Sequence, residues 1–428
     1  MTRSIRCELF VIGSGMAGMA AALFAAGRGI NTVQAGMSSE LAYASGLLDL
    51  MAVHPVRESR IWGDPWAGID ALIRDIPDHP YAHIEKADIR QALDEFMAFL
   101  NSAGLPYKAD TDHNSRVITS VGTVKPTYCV PGSIWNVVRA LQEKQPCLLV
   151  DFRGLKGFSA RQIKEMLREN WPNLRTARFS FPSHAPELYT EHMARELEKP
   201  EICKKLAEKI FPYVEDARVV GLPAVLGITR TEEVVSNMEK FLNVPVFEIP
   251  TMPPSVPGMR LKRIFETGLP KLGVKPLLQQ KVRYVKSSKS TGDLIFEVGP
   301  SDSRTTVCAK GVILASGRFF GKGLHSDRNS VYETIFNLPV HQPDTRSLWH
   351  RKDLFDTRGH LISRAGLETD EFLRPLDKSG GPAYDTLFAA GSVLAHQDWM
   401  RMKCGAGLAI ATASHAVNSF LKIKSSLS

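Results

Sequence analysis

Gly13, Gly15 and Gly18 stand at the spacing G-x-G-x-x-G, directly after the apolar run Leu9-Phe10-Val11-Ile12 and before the small-residue stretch Met19 to Ala26. A strand feeding a glycine turn that opens a helix is the context in which this spacing holds a nucleotide. Gly13 permits the tight turn, Gly15 lets the backbone approach a pyrophosphate, and Gly18 lets the helix lie close to the sheet. The helix N-terminus then offers unpaired N–H groups and partial positive charge to phosphate oxygens. The next strand reads Asn31-Thr32-Val33-Gln34. An acid usually closes this strand and holds a ribose hydroxyl. Gln34 occupies that place, and as a neutral group it makes the weaker contact.

The elements around these glycines must position them. Leu9 to Gly27 carries no charge and follows Arg3 and Arg6. Glycines and alanines interrupt it too often for a membrane span. Read as a signal peptide, it would be removed together with the fingerprint. No other segment has the apolar length of a span. The 428 residues suffice for two or three domains, and 44% hydrophobic with 23% charged residues is ordinary for a globular protein. Cys7, Cys129, Cys147, Cys203, Cys308 and Cys404 form no C-x-x-C pair, so cysteine spacing signals neither zinc nor iron–sulfur, and no metal is expected. A reduced cytoplasmic setting is the default. The formal net charge of +8 favours anionic partners such as a phosphorylated substrate or an anionic membrane surface. The basic residues are dispersed, without aromatic interleaving or a nucleic-acid motif, so nucleic acid is not expected as a partner.

Residues 5–36 read as strand, glycine turn, helix and strand. Ile84 to Ala103 has helical periodicity, and Arg116 to Tyr128 reads as strand segments around Gly122-Thr123. From about 146 to 250 strands and helices alternate: strands begin near Cys147, Arg175, Arg218 and Pro245, with helices at Ala160–Glu169, Glu187–Glu198 and Glu232–Leu242. Such alternation suits a separate α/β insertion. Pro253-Pro254-Ser255-Val256-Pro257 is too stiff for helix or central strand and reads as the return linker. Val282–Ser287 and Leu294–Val298 read as a hairpin across Ser290-Thr291-Gly292-Asp293. Gly311 to Gly317 and Asp385 to Ser392 are buried strands ending in glycine turns, and Cys404-Gly405-Ala406-Gly407 opens a small-residue helix. The expected fold is α/β: a discontinuous Rossmann-like FAD/NAD(P)-binding domain (residues 1–145 and 251–428) with an inserted α/β domain (146–250).

The fingerprint, Ala315-Ser316-Gly317, and Phe388-Ala389-Ala390-Gly391 with its glycine-opened helix occur in this order. Together they resemble the glutathione-reductase-like flavoproteins. That resemblance implies that Gly317, Gly391 and the helix at Gly405 and Gly407 frame a flavin, with the helix's positive end towards the pyrimidine side. Ser392 follows Gly391 where many members place an acid. The run of motifs narrows the likeness: Ser45-Gly46-Leu47-Leu48-Asp49-Leu50, His79-Pro80-Tyr81, Pro250 to Gly258, Leu314 to Phe320, Leu373-Arg374-Pro375 and Phe388 to Leu394. These look like the B-subunit family of anaerobic glycerol-3-phosphate dehydrogenases, over essentially the whole chain.

The likeness implies FMN as cofactor, with FAD the alternative that the diphosphate-type fingerprint suits. It implies two partner chains, one bearing FAD (the A subunit) and one carrying iron–sulfur clusters (the C subunit). Electrons would pass through them to quinone, and the chain would lie at the inner membrane face through those partners. It also implies a small phosphorylated polyol as substrate. Arg260, Arg318 and Arg374 lie in or beside family-like motifs and have the fork that suits phosphate, though each can equally serve a structural ion pair. His396 is the best-placed base, against the simpler reading of a solvated loop histidine. His79 reads as a turn residue. Two other functions stay open on these residues: a self-sufficient flavin oxidoreductase for another small anion, and a scaffold that has lost its flavin.

Overall fold

The computed structural model describes residues 3–37, 40–182, 187–288 and 292–427. Ser290 and Thr291 of the expected hairpin turn lie outside the described residues.

The chain forms two compact units. The first is assembled from residues 1–40, 49–98 and 265–428, and the second from 41–48 and 99–264. The second unit is larger than the expected insertion at 146–250. The strands Ser115–Ile118 and Val124–Thr127 and the helix Gly132–Gln142 belong to it, and Val117, Ile118, Ile134 and Val137 share its core.

The first unit is built on a seven-stranded sheet. Its order is Lys275–Leu278, Thr32–Gly36, Arg3–Ile12, Thr305–Leu314, Leu294–Val298 and Val282–Ser287. Leu387–Ala389 also pairs with Thr305–Leu314. The latter strand is ten residues long and serves two neighbours in succession. Its first half runs antiparallel to Leu294–Val298, and its end runs parallel to Leu387–Ala389. The parallel part explains the uninterrupted apolar run Leu9–Ile12, which is covered on both faces. Phe10, Ile12, Val33, Phe296, Val312, Leu314 and Leu387 form the core. The fingerprint helix Met16–Gly27 and the C-terminal helix Gly405–Leu427 pack together against the sheet. A Cβ on Gly311 would stand 2.4 Å from the Phe420 ring, so that glycine lets the C-terminal helix lie on the central strand.

The second unit holds a parallel four-stranded sheet, in the order Val246–Ile249, Val219–Pro223, Cys147–Phe152 and Leu174–Phe179. Helices Ala160–Leu167, Thr190–Leu197 and Thr231–Leu242 follow the expected alternation. A further helix, Pro200–Ile210, is not among the elements expected from the sequence. The expected linker is corrected at its end, because a helix begins at Val256 and runs to Lys271. Pro257 falls in its first turn, where a missing N–H costs nothing, and Ser255 Oγ accepts the Gly258 N–H at 3.2 Å. Among the described residues no helix is long and apolar enough to cross a membrane.

Candidate functional site

Three glycine turns meet at the C-terminal ends of the parallel strands, where α/β sheets hold ligands. At the first, Gly13 has φ +143°, and a Cβ there would stand 2.0 Å from the Ala315 carbonyl oxygen. A Cβ on Gly18 would stand 2.2 Å from the Gly13 carbonyl oxygen. Both glycines are demanded by the protein's own packing. Gly15 differs. The nearest atom to a Cβ there is Glu40 Oε2, at 3.9 Å. The protein's own packing therefore does not demand glycine at this position. Gly15 is the N-cap of the fingerprint helix, with no side-chain cap and no acid in the first turn. The first N–H groups are thus left for an anion.

The second turn carries Gly317 at φ +71°. A Cβ there would lie 3.4 Å from Glu40 Oε1 and 3.7 Å from Ser392 Oγ, which brings the second and third turns together. Ser316 Oγ is buried in this turn without a hydrogen-bond partner among the described residues. The third turn carries Gly391 at φ +78°, where a Cβ would press to 2.5 Å from the Ala17 Cβ. Its N–H donates to Thr412 Oγ1 at 2.9 Å.

Gln34 is turned inward. It is buried, and its Nε2 donates to the Gly13 carbonyl at 2.9 Å and approaches Met19 Sδ at 3.4 Å. In this structure it braces the fingerprint turn rather than presenting an acceptor to a ribose. Ser45 and Gly46 fall in the second unit. There a Cβ on Gly46 would meet Pro257 at 2.6 Å, and its carbonyl accepts the Tyr107 hydroxyl at 2.6 Å. Gly405 is packed by Trp399, with 2.8 Å from an added Cβ to the ring. Gly407 is packed by Leu50 and Tyr81, and its N–H donates to the Asp49 carbonyl at 2.8 Å.

Sequence reasoning missed Glu40. Its carboxylate lies between the first two turns, 2.8 Å from where a Cβ on Gly321 would stand. It makes no hydrogen bond or ion pair with the described residues, and burial raises its pKa. A carboxylate without a cation at a phosphate cradle repels the ligand when ionised and can donate a hydrogen bond when protonated. No sequence signal marks it, since it opens a single 3-10 turn, Glu40–Tyr43, too short to show periodicity.

The three candidate arginines are all engaged. Arg260 is fully buried in the second unit, with both guanidinium ends on Glu248 (2.5 and 2.8 Å) and Nε on the Gly227 carbonyl. Arg374 pairs with Asp370 at 2.7 Å within its own turn. Arg318 donates to the carbonyls of Ser392 (2.7 Å), Leu394 (3.3 Å), Gln397 (2.9 Å) and Ser363. It ties the third glycine turn to the segment before Arg364. As placed, each serves an internal contact, which is the structural role the sequence left open. Arg364 is half-buried and its guanidinium makes no hydrogen bond or ion pair among the described residues, though its charge is felt by His79 and Asp398. His396 Nε2 lies 3.0 Å from Glu368, and its ring lies 4.3 Å from that of His341. It is a member of a group, not a lone imidazole. His79 caps the turn Pro80–His83 by accepting the Tyr81 N–H at 3.2 Å, and burial holds its pKa down to about 3.

The family described as FAD binding domain matches residues 8–408. The chain is 32% identical over 425 residues to the probable anaerobic glycerol-3-phosphate dehydrogenase B subunit of Halobacterium salinarum, with 96% of each chain covered. The chain belongs to this B-subunit family. It is also 26% identical to the B subunit of Aliivibrio fischeri (97% of this chain, 95% of the relative) and 27% identical to that of Vibrio cholerae (97% and 96%). The cofactor of such a FAD-binding-domain protein is a flavin. The residues fit one: the uncapped helix at Gly15 offers N–H groups, and the buried Ser316 hydroxyl offers a further donor. Glu40 fits in its protonated form.

Proposed function

We propose that this chain is the flavin-bearing subunit of an anaerobic glycerol-3-phosphate dehydrogenase, and that its flavin is FAD rather than FMN. The observation that carries this is the full-length match to the B-subunit family, joined to a fingerprint turn left open at Gly15. The family description is FAD binding, and a glycine turn at a helix N-terminus suits a diphosphate better than a single phosphate. Held at these turns, a flavin would supply the two-electron acceptor for oxidation of sn-glycerol 3-phosphate to dihydroxyacetone phosphate, the C2 hydrogen leaving as hydride and the hydroxyl proton passing to solvent.

The chain's residues have distinct tasks. Gly13, Gly15 and the first turn of Met16–Gly27 hold the diphosphate. Ser316 donates its hydroxyl beside them. Arg318 fixes the turn at Gly391 and Ser392 by four carbonyl contacts. Arg364, left without a protein partner among the described residues, is the cation for the substrate phosphate, for which its planar fork is suited. The chain works in an assembly with a FAD-bearing partner (the A subunit) and an iron–sulfur partner (the C subunit). Electrons leave through these towards quinone, and the assembly lies at the inner membrane face. The net charge of +8 is compatible with that anionic surface.

The test is to purify the chain, denature it, and identify the released flavin by mass, for wild type and Gly15→Asp. Wild type should release FAD in near-equimolar amount. The aspartate, whose Cβ would stand in ordinary contact with Glu40 Oε2 (3.9 Å), carries charge to the phosphates and should abolish retention while leaving the circular dichroism unchanged. Release of FMN would refute the FAD proposal. Retention by Gly15→Asp would refute the fingerprint assignment. A colourless chain inside an active complex would favour a scaffold role, for which the unpaired Glu40 carboxylate is the supporting observation.

A further inference from the structure

We propose that His341, Glu368 and His396 form a binding site for one divalent ion of the zinc class. The three residues lie far apart in sequence and converge in the first unit. Glu368 Oε1 is 3.3 Å from His341 Nδ1 and 3.0 Å from His396 Nε2, and the three donor atoms all lie within 4.8 Å of one another. Two ligands at zinc–nitrogen and zinc–oxygen bond lengths, set at a tetrahedral angle, are separated by about 3.3 Å. The observed separations to the carboxylate already match that figure. Two imidazoles and one carboxylate are a borderline donor set, suited to zinc and its neighbours and not to magnesium or calcium. Three protein ligands leave the fourth position to water.

The backbone holds this arrangement in advance. His341 and Gly366 exchange two hydrogen bonds, at 2.8 and 3.1 Å. The Leu367 N–H donates to the Val393 carbonyl at 2.8 Å, and the Ala395 N–H returns to the Leu367 carbonyl at 2.9 Å. The His396 N–H donates to the Arg364 carbonyl at 3.0 Å. Each ligand thus leaves a segment pinned beside the other two. His396 itself has φ +61°, a left-handed conformation that a side-chain-bearing residue adopts only where its surroundings over-determine it. That conformation turns its ring towards His341 and Glu368. The ligands are partly exposed (42% for His341 and 49% for Glu368), so an ion can enter from solvent. Bound there, it would staple the segment after the Gly391 turn to the two segments beside it.

The experiment uses the full chain, stripped with a chelator and returned to chelator-free buffer. Zinc is titrated against a chromophoric competitor, and cobalt is added separately to read coordination geometry from its visible spectrum. Wild type should bind one equivalent, give a tetrahedral cobalt spectrum, and melt at higher temperature with zinc present. His341→Ala should weaken binding about 100-fold and Glu368→Gln about tenfold or more, with loss of the cobalt band. Both positions are partly exposed, so folding should survive, and circular dichroism checks that it does. Absence of one-to-one binding by wild type would overturn the proposal, as would a folded His341→Ala or Glu368→Gln chain that binds zinc as wild type does. Should both variants fail to fold, the wild-type cobalt spectrum decides: a tetrahedral band supports the site and an octahedral one refutes it.

Discussion

Glu40 is the residue whose chemistry is most at odds with its surroundings. It stands between the turn at Gly15, whose helix N–H groups are uncapped, and the turn at Gly317, and it has no ion pair among the described residues. Burial raises its pKa, so the neutral form persists to higher pH than it does in water. A raised carboxyl group contributes its stability below its unfolded pKa and loses it as pH rises through the folded value. Flavin affinity should follow the same direction, falling as pH climbs through that range and the carboxylate ionises beside the diphosphate. Glu40→Gln should remove the fall and, at the alkaline end, tighten flavin binding by about tenfold or more, the equivalent of about 1.4 kcal/mol. Fluorescence titration of the flavin across pH measures both. Identical pH profiles for the two chains would remove Glu40 from the site.

At the scale of elements, the site depends on how closely the fingerprint helix meets the third glycine turn. An added Cβ on Gly391 would come to 2.5 Å from Ala17, and the residue also has φ +78°. Gly391→Val meets both obstacles: a branched side chain in a left-handed conformation and a clash with a buried helix. It should cost about 3 kcal/mol in urea unfolding and reduce flavin retention. Gly292, also at positive φ but with nothing within 4 Å of an added Cβ, provides the control for strain alone. Equal losses at the two positions would mean that the packing against Ala17 is unimportant. The same helix explains why Gln34 acts differently from an acid in its place. With its amide on the Gly13 carbonyl, it reinforces the turn from below, a bond that a carboxylate, having no donor, does not make.

At the scale of the whole molecule, the flavin unit is distributed along the chain. Five of the seven strands in its sheet come after residue 264, among them the central Thr305–Leu314, which lies in register with Arg3–Ile12 from end to end. A chain ending at Ile264 keeps the complete fingerprint and loses the strand that supports it. It should retain no flavin and show no cooperative unfolding of that unit. Flavin bound at wild-type affinity by this truncated chain would show that the fingerprint segment folds alone, contrary to the dependence of a parallel sheet on its distant partners.

The amino-acid sequence by itself determined the features that rest on short-range rules. The G-x-G-x-x-G turn, the buried strands ending in Gly317 and Gly391, and the α/β alternation from Cys147 to Ile249 all follow from glycine conformational freedom and apolar periodicity. The three-turn constellation was legible through the resemblance to flavoproteins that those three motifs carry in this order. Tertiary structure decided the rest, because the remaining questions are about partners distant in the chain. Whether Arg260, Arg318 and Arg374 were free could be known only once Glu248, Asp370 and four backbone carbonyls had claimed them. Which glycine served a ligand and which served packing depended on neighbours such as Ala315, Ala17 and Tyr81. The grouping of His341, Glu368 and His396 has no spacing signature at all, since three separate segments had to be bridged before their side chains met.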